Sequence, residues 1–496
     1  MLALAIGPLC AQTSTSEISG TVRDSSGAVV PGAQVTLTNE STGIVFRQQT
    51  TPAGVFDFPS IAVGQYTLQV EMKGFKTAKR TGNTLTVGTV LGVEMILEVG
   101  QLGDTVTVEA RTEALQTTNA AVGNVVEHKA IVELPLNGRN PLTLLTLEPG
   151  VVQRSAGGVG SGIHVNGSRD RSHNVTIDGI EANESSVPNP VSNLYRLTPD
   201  NVQEYKVTTS NATAEEGRNS GASVSVATRA GTNKLHGTLY YFGRNTAFNS
   251  NEFYTNAQGG IKPDIKMNQY GFEVGGPIIK NKTFFFGSWA DQKINTTQPI
   301  DQTFGTPTLY TPSARAGNYR YWRNDPANAF TLPSGQRITR NVPQLVNPQT
   351  GALAAGVRNC ATNTDLNCVA TYNFAGDDPK KIGLDPTIAK LFGSYPTPNS
   401  YLSGDGLNTA SYLWNPPTQF RGPNYMARID HNFNENNSFF FRALWGDYNT
   451  LQGDPLNGRP QVFPNTPPLG EVYRTTRNFA ASYRRVFSPR LINEVT

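Results

Sequence analysis

Five residues between positions 169 and 178 carry side chains that acid–base or metal chemistry would use: Arg169, Asp170, Arg171, His173 and Asp178. A carboxylate beside an imidazole can transfer protons, and both groups bind metals. The alternative is structural, because Asp178-Gly179 is a typical turn dipeptide and arginines pair readily with aspartates. The group therefore favours polar contacts over catalysis. Glu215, Glu216 and Arg218 receive the same interpretation.

The histidines do not support an enzyme either. There are five of them, and no HExxH, GxSxG or phosphate-binding glycine loop occurs. We therefore expect no catalytic residue, no metal site and no cofactor. The five positions are His128, His164, His173, His236 and His431.

Composition narrows the class of protein. The 41 basic and 38 acidic residues nearly cancel, so nucleic acid is not supported as a partner. The 48 glycines and 32 prolines, with few long helical patterns, indicate β structure with generous loops. No run of 18 apolar residues predicts a membrane-spanning helix. A β-barrel stays possible, because its apolar face is hidden in alternation.

The first twelve residues and the cysteines indicate export. Residues 1–12 (MLALAIGPLCAQ) resemble the end of a secretory signal, and the missing basic segment suggests that the true start lies upstream. Cys10 would be removed with this signal. Cys360 and Cys368 stand eight apart in a polar segment. In an exported protein this spacing favours a disulfide over a metal pair.

Residues 16–98 consist of short alternating segments separated by turns. Tyr66, Leu68 and Val70 alternate with polar residues, which gives each strand one face for a sandwich core. The segments ISGTVRDSSGAVVPGAQVTL and VGQYTLQVEMKGF resemble a carboxypeptidase regulatory-like domain, a prealbumin-type β-sandwich. The resemblance implies a scaffold or spacer, and more weakly a contact with a glycan.

Residues 103–110 (GDTVTVEA) form a short extended pattern. Val106 and Val108 face one way and the intervening polar residues face the other. Such a strand suits addition to a partner's sheet, but it is more typical of an edge strand of the preceding domain. Both interpretations stay open on these residues alone.

Residues 115–230 mix short helices and strands. Residues 128–134 have helical spacing, Pro141 can begin a second helix, and strands are expected near 163–167, 174–180, 202–208 and 222–228. The segments VVEHKAIVELPLNGRNPLTLLTLEPGV, GGVGSGIHVNGSRDRSHNVTIDGIEAN and NVQEYKVTTSNATAEEGRNSGASVSVATRAGTN resemble the plug domain of TonB-dependent receptors, specifically the Oar-like group.

This resemblance assigns roles to residues. The strand before a plug is the TonB box of that family, and residues 104–110, here called the box segment, occupy its place. Polar plug residues would contact the barrel wall: Arg169, Asp170, Arg171, Asp178, Glu215, Glu216 and Arg218. The box segment consists of Asp104, Thr105, Val106, Thr107, Val108, Glu109 and Ala110.

Residues 233–496 alternate as β-hairpins. Three turns are tight and fall at alternate connections, whereas residues 292–424 form one very long connection. This asymmetry is typical of outer-membrane barrels, which have short periplasmic turns and long outer loops. About seven strands are visible, and plugged transporters have about 22. We therefore expect a fragment that holds the first part of a barrel.

The fold class expected is mainly β: a prealbumin-like sandwich, a mixed α/β plug and the first strands of a transmembrane antiparallel β-barrel. The resemblance implies a bacterial outer-membrane importer with its sandwich in the periplasm. The inner-membrane TonB complex, outer-membrane lipid and an unidentified ligand, such as an oligosaccharide, glycan or peptide, would be its partners. A non-transporting adhesin or envelope scaffold is the alternative.

Overall fold

The computed structural model shows a chain built mostly of strands. It describes residues 16–100, 104–109, 120–136, 138–153, 163–169, 172–183, 195, 197–213, 216, 220–251, 253, 256, 262–297, 307–451, 461–467, 471–488 and 491–496. The signal-like residues 1–12, with Ala110, Asp170, Arg171, Glu215 and Arg218, lie outside these ranges. Within them, no helix is both long and apolar enough to cross a membrane.

Residues 16–100 form a β-sandwich, called the sandwich below. One sheet has the order β4-β1-β7 and the other β3-β2-β5-β6-β8. Side chains that alternate inward from both sheets, such as Ile18, Leu37, Phe56 and Leu68, fill one core. The strands are β1 Ser16–Asp24, β2 Gln34–Asn39, β3 Val45–Gln49, β4 Val55–Ile61, β5 Gly64–Glu71, β6 Thr77–Leu85, β7 Val90–Leu97 and β8 Thr105–Glu109.

Strand β6 is absent from the sequence-based expectation. Its sequence, TAKRTGNTL, has no apolar alternation, so period-two patterning cannot reveal it. Backbone pairing holds it instead, because it lies between β5 and β8. The buried Asn83 side chain adds hydrogen bonds to the carbonyl oxygens of Tyr66 and Arg80, at 3.0 and 2.9 Å.

The described residues between 120 and 230 form the second unit, called the plug below. Its main sheet has the order β13-β12-β15-β14-β9. The expected helix at 128–134 is confirmed as α1, His128–Glu133. The second begins at Pro141 as a 3₁₀ helix, Pro141–Leu147, capped by the Asn140 side chain. The strands are β9 Val122–Glu127, β10 Val151–Gln153, β11 Ile163–Val165, β12 Asn174–Ile177, β13 Ile180–Glu181, β14 Val202–Ser210 and β15 Ser223–Thr228, and a further 3₁₀ helix is Pro199–Asn201.

An eight-stranded antiparallel sheet, called the wall below, curves around the plug. Its order is β16-β17-β18-β25-β27-β28-β29, with β26 between β18 and β27, and it is not closed. The strands are β16 His236–Asn245, β17 Ile265–Ile279, β18 Thr283–Thr297, β25 Pro417–Arg421, β26 Asn424–Asn434, β27 Asn437–Leu451, β28 Glu471–Ser488 and β29 Leu491–Val495, and a 3₁₀ helix is Thr246–Phe248.

The two faces of the wall differ as a barrel requires. Outward side chains include Leu239, Phe272 and Phe479, which are 84%, 45% and 59% exposed. Inward side chains that are buried include Gln269 and Arg442. Strands alternate with a period of two, so one face meets lipid and the other meets the plug. The predicted hairpin pattern is confirmed.

The long connection between β18 and β25 is folded rather than a plain loop. Residues 307–416 contain three two-stranded ribbons and their own core around Trp322, Ile338 and Leu345. We call these residues the outer segment. Its elements are β19 Thr308–Tyr310, α2 Pro312–Arg315, β20 Asn318–Arg323, β21 Phe330–Thr331, β22 Arg337–Ile338, a 3₁₀ helix Pro343–Leu345, β23 Cys368–Asn373, α3 Pro386–Ser394 and β24 Thr409–Ser411.

The outer segment also contains a disulfide between Cys360 and Cys368. Its boundaries are narrower than the expected connection at 292–424, because β18 continues to Thr297 and β25 already begins at Pro417. The pairing of Thr297 with Pro417 brings the two ends of the connection together.

Candidate coupling site between plug and wall

Asp178 is the centre of the contact between plug and wall. It follows β12 in a turn, with φ of 48°, and its side chain is buried. One carboxylate oxygen accepts a hydrogen bond from the Thr228 backbone N–H at 2.9 Å, and the other accepts from the Thr228 hydroxyl at 2.8 Å. The plug therefore fixes the carboxylate in one orientation, which faces the wall.

Two arginines of the wall meet this carboxylate. Arg442 Nε lies 2.8 Å from Asp178 Oδ2, and Arg428 Nη1 lies 3.4 Å from Asp178 Oδ1. They are cross-strand partners on β27 and β26. Arg442 also donates to the Ile177 carbonyl oxygen at 3.1 Å. Its side chain is 0% exposed, so the ion pair is shielded from water.

Asp430 balances the second positive charge. It accepts hydrogen bonds from Arg428 Nε at 3.0 Å and from Arg428 Nη2 at 2.8 Å. The Arg428 guanidinium also lies 4.6 Å from the centre of the Phe440 ring. Two arginines thus face two carboxylates, and a buried group of this kind is tolerated only because its charges cancel.

A second contact joins the plug to the first wall strand. Arg139 donates to Asp200 at 2.8 Å within the plug. The same guanidinium lies 4.7 Å from the centre of the Tyr240 ring and 4.1 Å from that of Phe242, both on β16. Stacking of an arginine on aromatic faces contributes about 0.5–2 kcal/mol per contact. This contact is therefore secondary to the Asp178 group.

The third contact between plug and wall is an ion pair, which lies where the chain passes from the plug into the wall. Arg229 follows β15 and pairs with Glu273 on β17. Glu273 is 4% exposed at its side chain and also accepts from the Thr238 hydroxyl at 3.2 Å. Apolar packing joins the same two units, since Phe286, Met426 and Leu444 of the wall belong to the plug's core. The plug–wall contact therefore combines ion pairs with hydrophobic burial.

The plug residues expected to touch the wall behave differently from one another. Asp178 does contact it. Arg169 is exposed, and among the described residues it has no ion pair with the wall. The expectation is wrong for Glu216, whose carboxylate accepts from Thr208 at 3.0 Å and lies 3.7 Å from Lys206 Nζ. Both partners are on β14, so the nearest cation holds Glu216 inside the plug.

His173 has a structural environment. Its ring nitrogens contact the Ile163 carbonyl oxygen at 2.5 Å and the Ala222 backbone N–H at 3.3 Å. No group of three potential metal ligands occurs among the residues that the structure describes. The ring therefore joins two plug segments.

The wall side of the contact was not singled out from the sequence. Arg428 and Arg442 are inward positions of a hairpin in which about half of the other residues are apolar or aromatic. A charged residue at such a position is the signal that could have found them, because it needs a partner inside the lumen. The other residues missed are Arg139, Asp200, Arg229, Glu273, Tyr240 and Phe242.

The box segment is docked on the sandwich. Strand β8 pairs in parallel with β6, and the Asp104 carbonyl oxygen accepts from the Thr77 N–H at 2.8 Å. No described strand pairs with the opposite edge of β8. Val108 is 56% exposed. The structure thus has the edge-strand arrangement, and one edge of that strand is open to a partner.

Models of three protein families match the chain. The outer membrane beta barrel domain matches residues 227–496, the carboxypeptidase regulatory-like domain matches 17–98, and the TonB-dependent receptor plug domain matches 115–224. The first of these covers more than half of the chain. The three matches follow one another in the order sandwich, plug and wall.

The chain is similar to the TonB-dependent transporter Oar of Myxococcus xanthus, with 25% identity over 450 residues. The match covers 80% of this chain and 41% of Oar, so the chain spans about two fifths of that relative. Among solved structures it is similar to a ferric enterobactin receptor of Pseudomonas aeruginosa, with 12% identity, a TM-score of 0.38 and coverage of 74% of this chain and 39% of that one.

Another similar solved structure is the siderophore receptor PirA of Acinetobacter baumannii, with 14% identity and a TM-score of 0.32. That match covers 73% of this chain and 44% of PirA. The family matches and the Oar relative indicate a location in the outer membrane. The chain belongs to the outer-membrane β-barrel proteins and, with its plug and its carboxypeptidase regulatory-like domain, to the TonB-dependent receptors.

Proposed function

We propose that this chain acts in energy-coupled import across the outer membrane, with the plug as the element that moves. The buried Asp178 contact carries the proposal, because it joins the plug to the wall through charges rather than through a covalent or purely apolar contact. Water can replace polar contacts when a plug shifts, so such a contact can open and close again. No covalent chemistry is needed.

The box segment would receive the force that moves the plug. The N–H and C=O of one residue point to the same side of a strand, and successive residues alternate. Asp104 faces β6, so Val106 directs its backbone groups to β6 as well. Thr105 and Thr107 then direct theirs to the open edge. An extended segment of the inner-membrane TonB protein can pair there as an added strand.

Two proline substitutions test this geometry. Thr107→Pro removes a donor on the open edge, whereas Val106→Pro removes one that faces β6. The measurement is a disulfide cross-link in cells between Thr105→Cys and a cysteine placed in TonB. We expect Thr107→Pro to abolish the cross-link and Val106→Pro to retain it.

Three outcomes of this test would contradict three different parts of the proposal. A cross-link that is unchanged in Thr107→Pro would contradict the assignment of the box. Loss of the cross-link in both variants would show that the partner also needs the inner edge, which contradicts pairing on the docked strand. If the chain that carries Thr105→Cys without either proline never cross-links, with or without a proton gradient, the proposed import function itself is contradicted.

The ligand would be large or scarce, such as an oligosaccharide or a peptide. The outer segment, with its own core and disulfide, offers a stable surface for it. The same feature also suits a non-transporting adhesin or scaffold. Accumulation of a bound ligand that stops when the proton gradient is collapsed supports import, and binding without accumulation supports the scaffold.

A further inference from the structure

We propose that the sandwich is a reversible gate against the periplasmic side of the plug and wall, and that force applied to β8 opens this gate. This inference rests on the proposed function, because the opening force would come through the box segment. The carboxypeptidase regulatory-like domain would then be a moving part of transport rather than a spacer.

The sandwich is positioned at the short-turn end of the wall. It contacts the β17–β18 turn through Asn281 and the β26–β27 turn through Glu435. Short turns are periplasmic in outer-membrane barrels, and the outer segment leaves from the opposite ends of the strands. The sandwich therefore lies beneath the lumen, where a gate would act.

Two hydrogen bonds attach the sandwich to the plug. Glu204 and Lys206 are two residues apart on β14, so their side chains leave the strand on the same side. Glu204 accepts from the Val87 N–H, and Lys206 Nζ donates to the Gly88 carbonyl oxygen at 2.8 Å. Both contacts use the short connection between β6 and β7, so this loop is the plug-facing tip of the sandwich.

Further polar contacts attach the sandwich to the wall and to its entry. The Asn233 N–H donates to the Ser41 carbonyl oxygen at 3.0 Å. Arg484 Nη2 on β28 donates to the Pro59 carbonyl oxygen at 3.1 Å, and its guanidinium lies 5.4 Å from the centre of the Phe46 ring. Arg47 forms an ion pair with Glu435. Each contact can be replaced by water without exposing a core.

The hydrophobic cores support separation at this interface. One core contains sandwich residues alone, and the other contains plug and wall residues. Among the described residues, none of the sandwich joins the second core. A cavity of about 250 Å³ lies between the three units and is lined by residues of each, including Thr42, Thr228 and Ser438. Domains that are joined through hydrogen bonds and ion pairs without a shared hydrophobic core typically move relative to each other.

The position of β8 connects this gate to the applied force. β8 belongs to the five-stranded sheet of the sandwich, so a partner paired on its open edge pulls on that sheet. The sandwich–wall pair Arg47–Glu435 is exposed and contributes about 0–1 kcal/mol. The buried Asp178–Arg442 pair is harder to break. Force through β8 therefore undocks the sandwich before it disturbs the plug.

The test measures access to the interface in intact cells that express the receptor. Thr42→Cys places a thiol in the cavity, and Ala53→Cys places one on an exposed turn of the same sandwich as the matched control. Both are treated with a maleimide small enough to enter the periplasm. The labelling rates are compared with the proton gradient present, with it collapsed, and in the Thr107→Pro background.

We expect labelling of Thr42→Cys to rise roughly tenfold with the gradient, because the rate follows the open population. The rise should be absent in Thr107→Pro, and Ala53→Cys should be labelled equally in every condition. TonB that co-purifies with the chain shows in parallel that the coupling itself operates.

Two results would overturn the gate alone. One is labelling of Thr42→Cys at the control rate with the gradient collapsed, which means that the sandwich is not docked. The other is slow labelling in all conditions although TonB co-purifies, which means that coupling does not open the interface. If TonB does not co-purify and labelling never changes, the proposed function is contradicted. The gate then has no source of force.

Discussion

The plug and the sandwich both contact the wall, but the contacts differ in hydrophobic packing and in the burial of their ion pairs. The plug shares a core with the wall and adds a buried ion pair, in which the Arg442 side chain is 0% exposed. The sandwich shares no described core residue with the wall, and its pair Arg47–Glu435 is 49% and 46% exposed. The contact between sandwich and wall should therefore separate more easily than the contact between plug and wall.

The largest effect is expected when the buried negative charge of the plug is removed. Asp178→Asn leaves Arg442 buried without its carboxylate, which should cost about 3–5 kcal/mol. The measurement is the denaturant dependence of proteolysis of the plug in detergent-solubilised receptor. Adding Arg442→Met should recover much of the loss, because no unpaired charge then remains. Equal stability of Asp178→Asn and the wild type would show that the pair does not hold the plug.

The second prediction concerns the pH dependence of the contact between sandwich and plug. The pKa of Glu204 is raised to about 7, mainly by burial; the hydrogen bond from Val87 opposes this rise, and the nearby Glu127 adds to it. Because the pKa in the folded chain is above the ordinary value of 4.5, this group's stabilising contribution is present below about pH 4.5 and is lost as pH rises through about 7.

We therefore expect docking of the sandwich to weaken as pH rises from about 4.5 to about 7, by at most about 1.4 kcal/mol per pH unit, and to change little at higher pH. The measurement is the labelling rate of Thr42→Cys at pH 6 and pH 8, each divided by that of Ala53→Cys to cancel thiol ionisation. Glu204→Gln keeps the acceptor and should remove the pH dependence. The same pH dependence in Glu204→Gln would assign it to another group.

The smallest effect is expected at the exposed pair of the sandwich. Arg47→Ala should change docking by about 0–1 kcal/mol, because solvent screens the pair with Glu435. The relative labelling of Thr42→Cys with the proton gradient collapsed measures it. An increase in labelling as large as the one expected for gate opening would mean that this single pair holds the sandwich, and the contrast with the plug would then rest on one residue.

The sequence predicts the order of units well because each has a clear periodicity. The helix at His128–Glu133, the plug strands and the wall hairpins lie close to their expected positions, since their apolar residues alternate or recur as the elements require. Strand β6 was missed because backbone pairing, which leaves no side-chain pattern, holds it in place.

Only part of the candidate site could be predicted from the sequence. Asp178 was expected to meet the wall because it is a polar residue of the plug, but its partners Arg428 and Arg442 are 250 and 264 positions away, a separation that no local pattern spans. Glu216 was misassigned for the same reason, because only the fold shows that Lys206 is the closer cation. The docking of β8 on β6 depends on a strand that the sequence did not reveal.

The pairing of Thr297 with Pro417 makes the outer segment an insertion whose two ends meet. A unit that enters and leaves its host at neighbouring positions, and that has its own core, can be replaced without changing the strand register around it. The outer segment can therefore diversify in sequence and length while the lipid-facing strands and the plug stay the same.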